Sequence, residues 1–353
     1  MSIAKSLAPG SMLNGGKYPI TITGVLGADA QRITYRGTAA LMTDDEEQQR
    51  VMEVVIREHF MAYCSERASD GKTVISAEDI APTVEGYLNG FKDTSRLCFE
   101  IADTYSAIIN VIDRFEENNT FYHVVEFLDG PTLEDRVARN GPMAIEDACQ
   151  LLAPISQALR RFHSNHSIHT DVHPCHIRFT NHNGIERPVL FGMYSLQHFD
   201  EQGCKIWDVP NNNCITGYAP PEQYRDIDHF IPQVDVYGLA ATMVFAITGK
   251  HLPDSRTLTE EMVRDILPPT LPETYVTALL RALRYDYLER TSTMSGFSKD
   301  MNLSCDAEQR APRHTATNLI SDSDHDISVG EMHPLAACIA AIRKLFSKRG
   351  NAM

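Results

Sequence analysis

The stretch "SIHTDVHPCHIRF", Ser167 to Phe179, places three histidines, one aspartate and one cysteine within thirteen residues. A carboxylate such as Asp171 can accept the proton of an attacking hydroxyl, and an imidazole such as His173 can assist it. With the residue just before it, the stretch also supplies zinc-type donors in His166, His169, His173, Cys175 and His176. The chain has eight cysteines but no Cys-x-x-Cys pair, so neither zinc-ribbon nor thioredoxin-like spacing is present. The stretch therefore reads as a catalytic loop, a metal site, or a catalytic loop that kept its frame and lost part of its chemistry.

Such a loop needs elements to hold it. "AIEDACQLLAPISQALRRFHSN" (144–165) repeats apolar residues at intervals of three and four and predicts an amphipathic helix, with Pro154 as a kink point. "RPVLF" (187–191) is a short strand on the other side. "QVDVYGLAATMVFAITGK" (233–250) is apolar nearly all round, which predicts a buried helix capped by Gly249. "ETYVTALLRALRYDYLERTS" (273–292) predicts another amphipathic helix. The front third reads as β: a hairpin over 18–35, a strand over 50–60, and strand, Asn-Asn turn, strand over 109–130. Residues 62–90 are polar and poorly patterned, which predicts an insert.

At 353 residues the chain can bury a full-sized core. Its net charge of −15 argues against nucleic acid, because phosphate binding needs a surplus of Lys and Arg. The cysteines are scattered, which fits reduced thiols in a cytoplasm. The N-terminus lacks the apolar core of a signal peptide, and no run is long enough to span a membrane.

A β-rich front and a helical remainder suggest a bilobal kinase, and several motifs carry that resemblance. "HTD" (169–171) resembles the His-Arg-Asp of a protein kinase catalytic loop. "GYAPPEQY" (217–224) closely resembles the Ala-Pro-Glu segment of bacterial Ser/Thr kinases. "VIREHFMAYCSER" and "VIDRFEENNTFYHVVEFLDGPTL" resemble the strand that bears the family's lysine and the strand pair and hinge that follow. The resemblance covers about residues 18–297. It implies an α+β, bilobal protein-kinase-like fold: a disordered N-terminus over 1–14, an N-lobe over 15–129 and a C-lobe over 130–297. A flexible linker (298–332) and an amphipathic helix (333–353), docking on the chain itself or on a partner, would complete it.

The resemblance also assigns roles. Asp171 matches the proton-accepting aspartate, and His169 matches the histidine that packs the loop. Asp235 matches the anchoring aspartate of the buried helix, and Arg290 matches the late arginine that pairs with Glu222. Gly27, Arg57, Glu126 and Leu128 fall at nucleotide-binding positions. The remaining parts depart from the family. Of the three glycines of the phosphate loop only Gly27 survives, with Asp29 and Arg32 at the other two positions. Arg57 replaces the lysine, and its helix partner is left open among Asp93, Arg96 and Glu100. His173 replaces the γ-phosphate lysine, and His176 replaces the magnesium-binding asparagine. Gly192 stands where the main magnesium-binding aspartate belongs, and the next carboxylate along the chain is Asp200. Imidazole is a poor magnesium ligand, and without a metal clamp the transition state of phosphoryl transfer loses its main charge stabilisation.

The expectation is therefore a pseudokinase acting in signalling or scaffolding through a protein partner, with weak, metal-independent ATP binding at most and no magnesium. Two alternatives stay open. One is an active Ser/Thr protein kinase with relocated metal ligands, acting on a protein substrate. The other is a small-molecule phosphotransferase, because "HTDVHPCH" (169–176) is similar to the His-Gly-Asp-Leu-His-Pro-Gly-Asn of antibiotic and choline kinases.

Overall fold

The computed structural model describes residues 5–42, 49–76, 80–104, 107–182, 185–207, 214–225 and 227–303. A short strand β1 (Met12–Leu13) leads into β2 (Ile20–Ala28), β3 (Arg32–Met42) and β4 (Gln49–His59). A small hairpin, β5 (Ser65–Arg67) and β6 (Val74–Ser76), precedes the long helix α1 (Ala81–Thr104). Strands β7 (Val111–Glu117) and β8 (Thr120–Glu126) complete an antiparallel six-stranded sheet in the order β1-β2-β3-β4-β8-β7. The β7–β8 turn is tight because Asn118 and Asn119 both take left-handed φ, 55° and 56°, which asparagine tolerates and which the strand twist favours.

The sheet buries Ile20, Ile22, Tyr35, Val54, Ile56 and Tyr122 on one side. Among them Glu58 is fully buried. It accepts hydrogen bonds from the Tyr35 hydroxyl at 2.6 Å and the Tyr122 hydroxyl at 2.9 Å, and it pairs with Arg67 at 2.5 Å. A buried carboxylate is tolerable only with such partners.

The second lobe follows the hinge. It contains α2 (Leu133–Asn140), α3 (Ile145–Ser164), the small strand β9 (Ser167–Ile168), the hairpin β10 (Ile177–His182) and β11 (Ile185–Leu190), and β12 (Gln197–His198), which pairs with β9. Then come α4 (Gln233–Thr248), α5 (Glu260–Ile266), α6 (Glu273–Ala282) and α7 (Met294–Asp300). α2 starts with a capping box between Thr132 and Asp135. α3 buries Ala148, Leu152, Ile155, Leu159 and Phe162 along one stripe, and it continues through Pro154. α4 is buried from Val234 to Ile247, and Gly249 ends it at φ 67°. The hinge reaches this lobe through Gly130, where any Cβ would collide with the Phe179 carbonyl oxygen.

Several sequence expectations need correction. Residues 5–14 are ordered: Leu7 and Leu13 are buried, and β1 pairs with β2, so the first lobe begins well before residue 15. The polar segment 62–90 is only partly insert, because it holds the β5–β6 hairpin and the start of α1. The helix expected over 273–292 stops at Ala282. Beyond it the Arg284 and Tyr285 carbonyls turn to accept hydrogen bonds from the Arg290 guanidinium. The C-lobe runs past 297, since Ser298 and Met301 are buried. The rest of the linker and the terminal helix lie outside the described residues.

Arg290 is 3% exposed and joins distant segments. It meets Glu222 at 2.5 and 3.2 Å and also donates to the Gln233 carbonyl at 3.1 Å. Arg290→Ala leaves the largely buried Glu222 carboxylate without its partner, and it is expected to lower stability by about 3–5 kcal/mol in urea titrations.

Two uncharged contacts help to hold helix α1. Ser95 Oγ lies 2.7 Å from His123 Nδ1, and Thr94 Oγ1 lies 2.8 Å from His198 Nε2. Burial, reinforced for His123 by nearby Arg57 and Arg114, pushes the two imidazoles down to about 3 and about 4. Unfolded, they titrate near pH 6.5. The unfolded chain therefore binds protons between pH 6.5 and about 4 that the folded chain refuses. Stability is full above pH 6.5 and falls as pH drops toward 4. Urea titrations are expected to show a loss of a few kcal/mol between pH 7 and pH 5, reduced in His123→Gln.

Candidate functional site

The catalytic-type loop lies between β9 and β10 and is suspended from the buried helix α4. Both Asp235 carboxylate oxygens are taken: the backbone N–H of His169 and that of Thr170 each donate at 2.8 Å, and His163 Nε2 lies at 2.8 Å. Burial alone would raise this carboxyl, but the His163 and His169 contacts outweigh it and hold Asp235 below the usual carboxylate range. Thr170 takes a left-handed φ of 64°, uncommon for a β-branched residue. Three bonds offset that strain: N–H to Asp235, the hydroxyl to Ser195 O at 2.9 Å, and its own carbonyl accepting from Gln223 Nε2 at 2.6 Å. His169 is fully buried and accepts the Asp171 N–H on Nδ1 at 3.2 Å.

This frame delivers Asp171, His173 and His176 to one point. Asp171 is 4% exposed. Its Oδ1 lies 3.4 Å from His173 Nε2, and its Oδ2 lies 3.1 Å from His176 Nδ1. Oδ1 has no partner of hydrogen-bond geometry. The two imidazole rings are 4.1 Å apart, and burial beside His176 pushes His173 down to about 4. Of the five zinc-type donors in the sequence, only His173 and His176 meet. Cys175 is exposed and bonds Glu134, and His166 packs edge-on against Phe230.

Gly192 lies two residues past the end of β11 and sits against the His176 ring. A Cβ at Gly192 would stand 2.5 Å from His176 Nδ1, and the residue's φ is 88°. The position opposite the loop therefore has room for no side chain while His176 is in place. Asp200 offers no substitute: its Oδ1 caps its own turn, accepting from Gln202 N and Cys204 N.

The upper side of the cleft is equally occupied. Tyr194, two residues after Gly192, lies beneath two guanidiniums, with Arg32 at 4.1 Å and Arg57 at 5.4 Å from its ring centroid. Arg32 also donates to the Tyr194 carbonyl at 3.2 Å and forms an ion pair with Asp29 at 2.5 Å. Asp29 thus closes the β2–β3 turn, and its charge is met locally. Gly27 pairs with Thr34 at a bulge, where a Cβ would meet nothing within 4 Å. Arg57 is 8% exposed, and no carboxylate among the described residues pairs with it. Asp93 accepts from Trp207 Nε1 at 2.7 Å, while Arg96 and Glu100 pair with each other at 3.0 Å. The residue that α1 sets beside Arg57 is Cys98.

At the hinge, the Glu126 side chain accepts from Asn110 N at 2.8 Å. The Leu128 carbonyl accepts from Arg178 Nη1 at 3.1 Å. Arg178 lies on β10 between buried Ile177 and Phe179, with its guanidinium 5.8 Å from the Phe191 ring. Sequence reasoning missed Arg178, Tyr194 and Cys98. Arg178 had a signal, a lone cation in the apolar run "IRF"; the other two had none.

The comparisons with known proteins agree with this frame. The protein kinase domain family matches residues 100–323. The serine/threonine-protein kinase PrkC of Bacillus subtilis is 23% identical over 214 residues, which is 57% of this chain and 32% of PrkC. PknB of Mycobacterium tuberculosis, also a serine/threonine-protein kinase, is 27% identical over 202 residues, 56% of this chain and 29% of PknB. The chain thus spans about a third of the length of these curated relatives. The crystal structure of the Mycobacterium tuberculosis PknI kinase domain superposes with a TM-score of 0.53 at 19% identity, covering 84% of this chain and 99% of that one. By family match and by fold, the chain belongs to the protein kinase domain family.

Proposed function

We propose that this chain is a pseudokinase, a kinase-shaped protein that acts through contacts with a protein partner and transfers phosphate poorly or not at all. The observation that carries the reading is the contact between Gly192 and His176. The position that must hold a metal carboxylate has neither the carboxylate nor the space for one. Magnesium favours carboxylate, carbonyl and water oxygens, and the histidines here are the wrong donors for it. ATP fares little better, since Tyr194 lies beneath the two arginines nearest the phosphate side and Arg178 engages the hinge carbonyl. The residues present do not fit magnesium-ATP.

A cytoplasmic location is proposed with this reading, on the support of the thiols alone. The described cysteines Cys64, Cys98, Cys149, Cys175, Cys204 and Cys214 are free thiols. No helix among the described residues is long and apolar enough to cross a membrane. A second reading, an active protein kinase with relocated ligands, is favoured by one observation: Asp171 keeps its place in the loop with Oδ1 unpartnered. The Glu222–Arg290 pair goes with the protein-kinase-type "GYAPPEQY" segment and weighs against a small-molecule phosphotransferase.

Thermal denaturation with millimolar ATP, with and without Mg2+ or Mn2+, is expected to show no metal-dependent rise in Tm. A large metal-dependent rise, or phosphate transfer lost in Asp171→Asn, would establish the active-kinase reading instead. Restoring the missing carboxylate is expected to fail: Gly192→Asp should lower stability by roughly 1–3 kcal/mol through overpacking at a positive φ. His176→Asn in the same chain should recover part of that loss, as urea titration would measure.

A further inference from the structure

We propose that Asp171, His173 and His176 form a binding site for one zinc-type divalent ion, a site distinct in ligands and in metal from the magnesium clamp of an active kinase. One suitable atom from each residue lies within 4.8 Å of the other two. Zinc bound tetrahedrally at about 2.0–2.1 Å keeps its donors ~3.3 Å apart. The Asp171 carboxylate already approaches both rings near that length, through Oδ1 at 3.4 Å from His173 Nε2 and through Oδ2 at 3.1 Å from His176 Nδ1. Turning the carboxylate to present one oxygen to both rings, with the rings rotating to meet it, brings the three donors to that spacing.

A second, independent observation points to a ligand. Asp171 Oδ1 is buried and has no hydrogen-bond partner, although a buried carboxylate oxygen ordinarily finds one. It is turned toward His173. A cation between the two would satisfy it.

The surroundings suit an imidazole–carboxylate ion. His176 Nε2 faces the Tyr194 hydroxyl at 3.4 Å, so the ring can keep its proton on that nitrogen and offer Nδ1 to a metal. Loading the site gives up the alternative in which Nδ1–H donates to the Asp171 carbonyl, 3.0 Å away. The Asp171 main chain is fixed through the His169 Nδ1 contact. The donor set of two imidazoles and one carboxylate selects a borderline ion over magnesium. Three protein donors leave a fourth position for water or for a donor brought by a partner. The inference stands on donor geometry and does not depend on whether ATP binds.

Co2+ serves as a spectroscopic stand-in, titrated into the metal-stripped native chain. The expected result is one equivalent bound, with the visible d–d bands of a four-coordinate ion, displaced by Zn2+. Asp171→Asn, His173→Gln and His176→Gln should each weaken binding more than ~100-fold, beyond the usual effect of losing an outer-shell partner. His229→Gln, which alters an exposed imidazole, should leave binding unchanged. Failure of the native chain to develop the bands overturns the proposal, and so does binding that survives in the isosteric Asp171→Asn. If a glutamine variant does not fold, the native titration and Asp171→Asn still decide. The ATP titrations above have a separate readout, so failure of either idea is distinguishable from failure of the other.

Discussion

Two backbone N–H groups and one imidazole converge on the Asp235 carboxylate, and this junction ties the helical core to the loop that carries the chemistry. A buried carboxylate with all its partners is a strong local constraint. If one partner is removed, the group faces an apolar core with an unmet charge. The strained Thr170, the buried His169 and the position of Asp171 all depend on this junction. Arg290 and Glu222 act similarly at the same N-terminal end of α4, joining it to the Glu222 and Arg284 segments.

The cleft follows a different electrostatic logic from its frame. Arg32, Arg57 and Arg178 converge on it, while Asp29 is engaged by Arg32 and Glu126 by the backbone of Asn110. Aromatic faces and carbonyl oxygens partly compensate these cations. The frame is thus held by complete carboxylate partnerships, and the cleft by cation–π contacts and single hydrogen bonds. The first kind fixes a fold; the second fills a space.

What the sequence made legible divides along the same line. The roles of Asp235, Glu222, Arg290 and His169 come from the family resemblance, which rests on short contiguous motifs such as "HTD" and "GYAPPEQY". The apolar surround of α4 and the Asn118–Asn119 turn are local signals of the same sort. Tyr194 could not be read, because its role depends on Arg32 and Arg57, which reach it only after the lobes pack. The end of α6 was missed for a related reason. Helical periodicity runs on past Ala282, but Arg290 takes the carbonyls of Arg284 and Tyr285, and a tertiary contact overrides the local preference. At 5–14, buried Leu7 and Leu13 act together with the β1–β2 pairing and the Lys5–Glu66 ion pair, contacts that form only once the lobe has folded.

The stacking of Arg32 and Arg57 on Tyr194 has a mechanical consequence. Arg32 belongs to the strand hairpin of one lobe and Tyr194 to the helical lobe, so stacking and the Arg32–Tyr194 carbonyl bond act as a cross-brace. A cleft closed by a diffusible ligand changes shape with that ligand's concentration. On the proposed reading, a cleft braced by its own side chains is preorganised, and its outer contour does not track the supply of nucleotide.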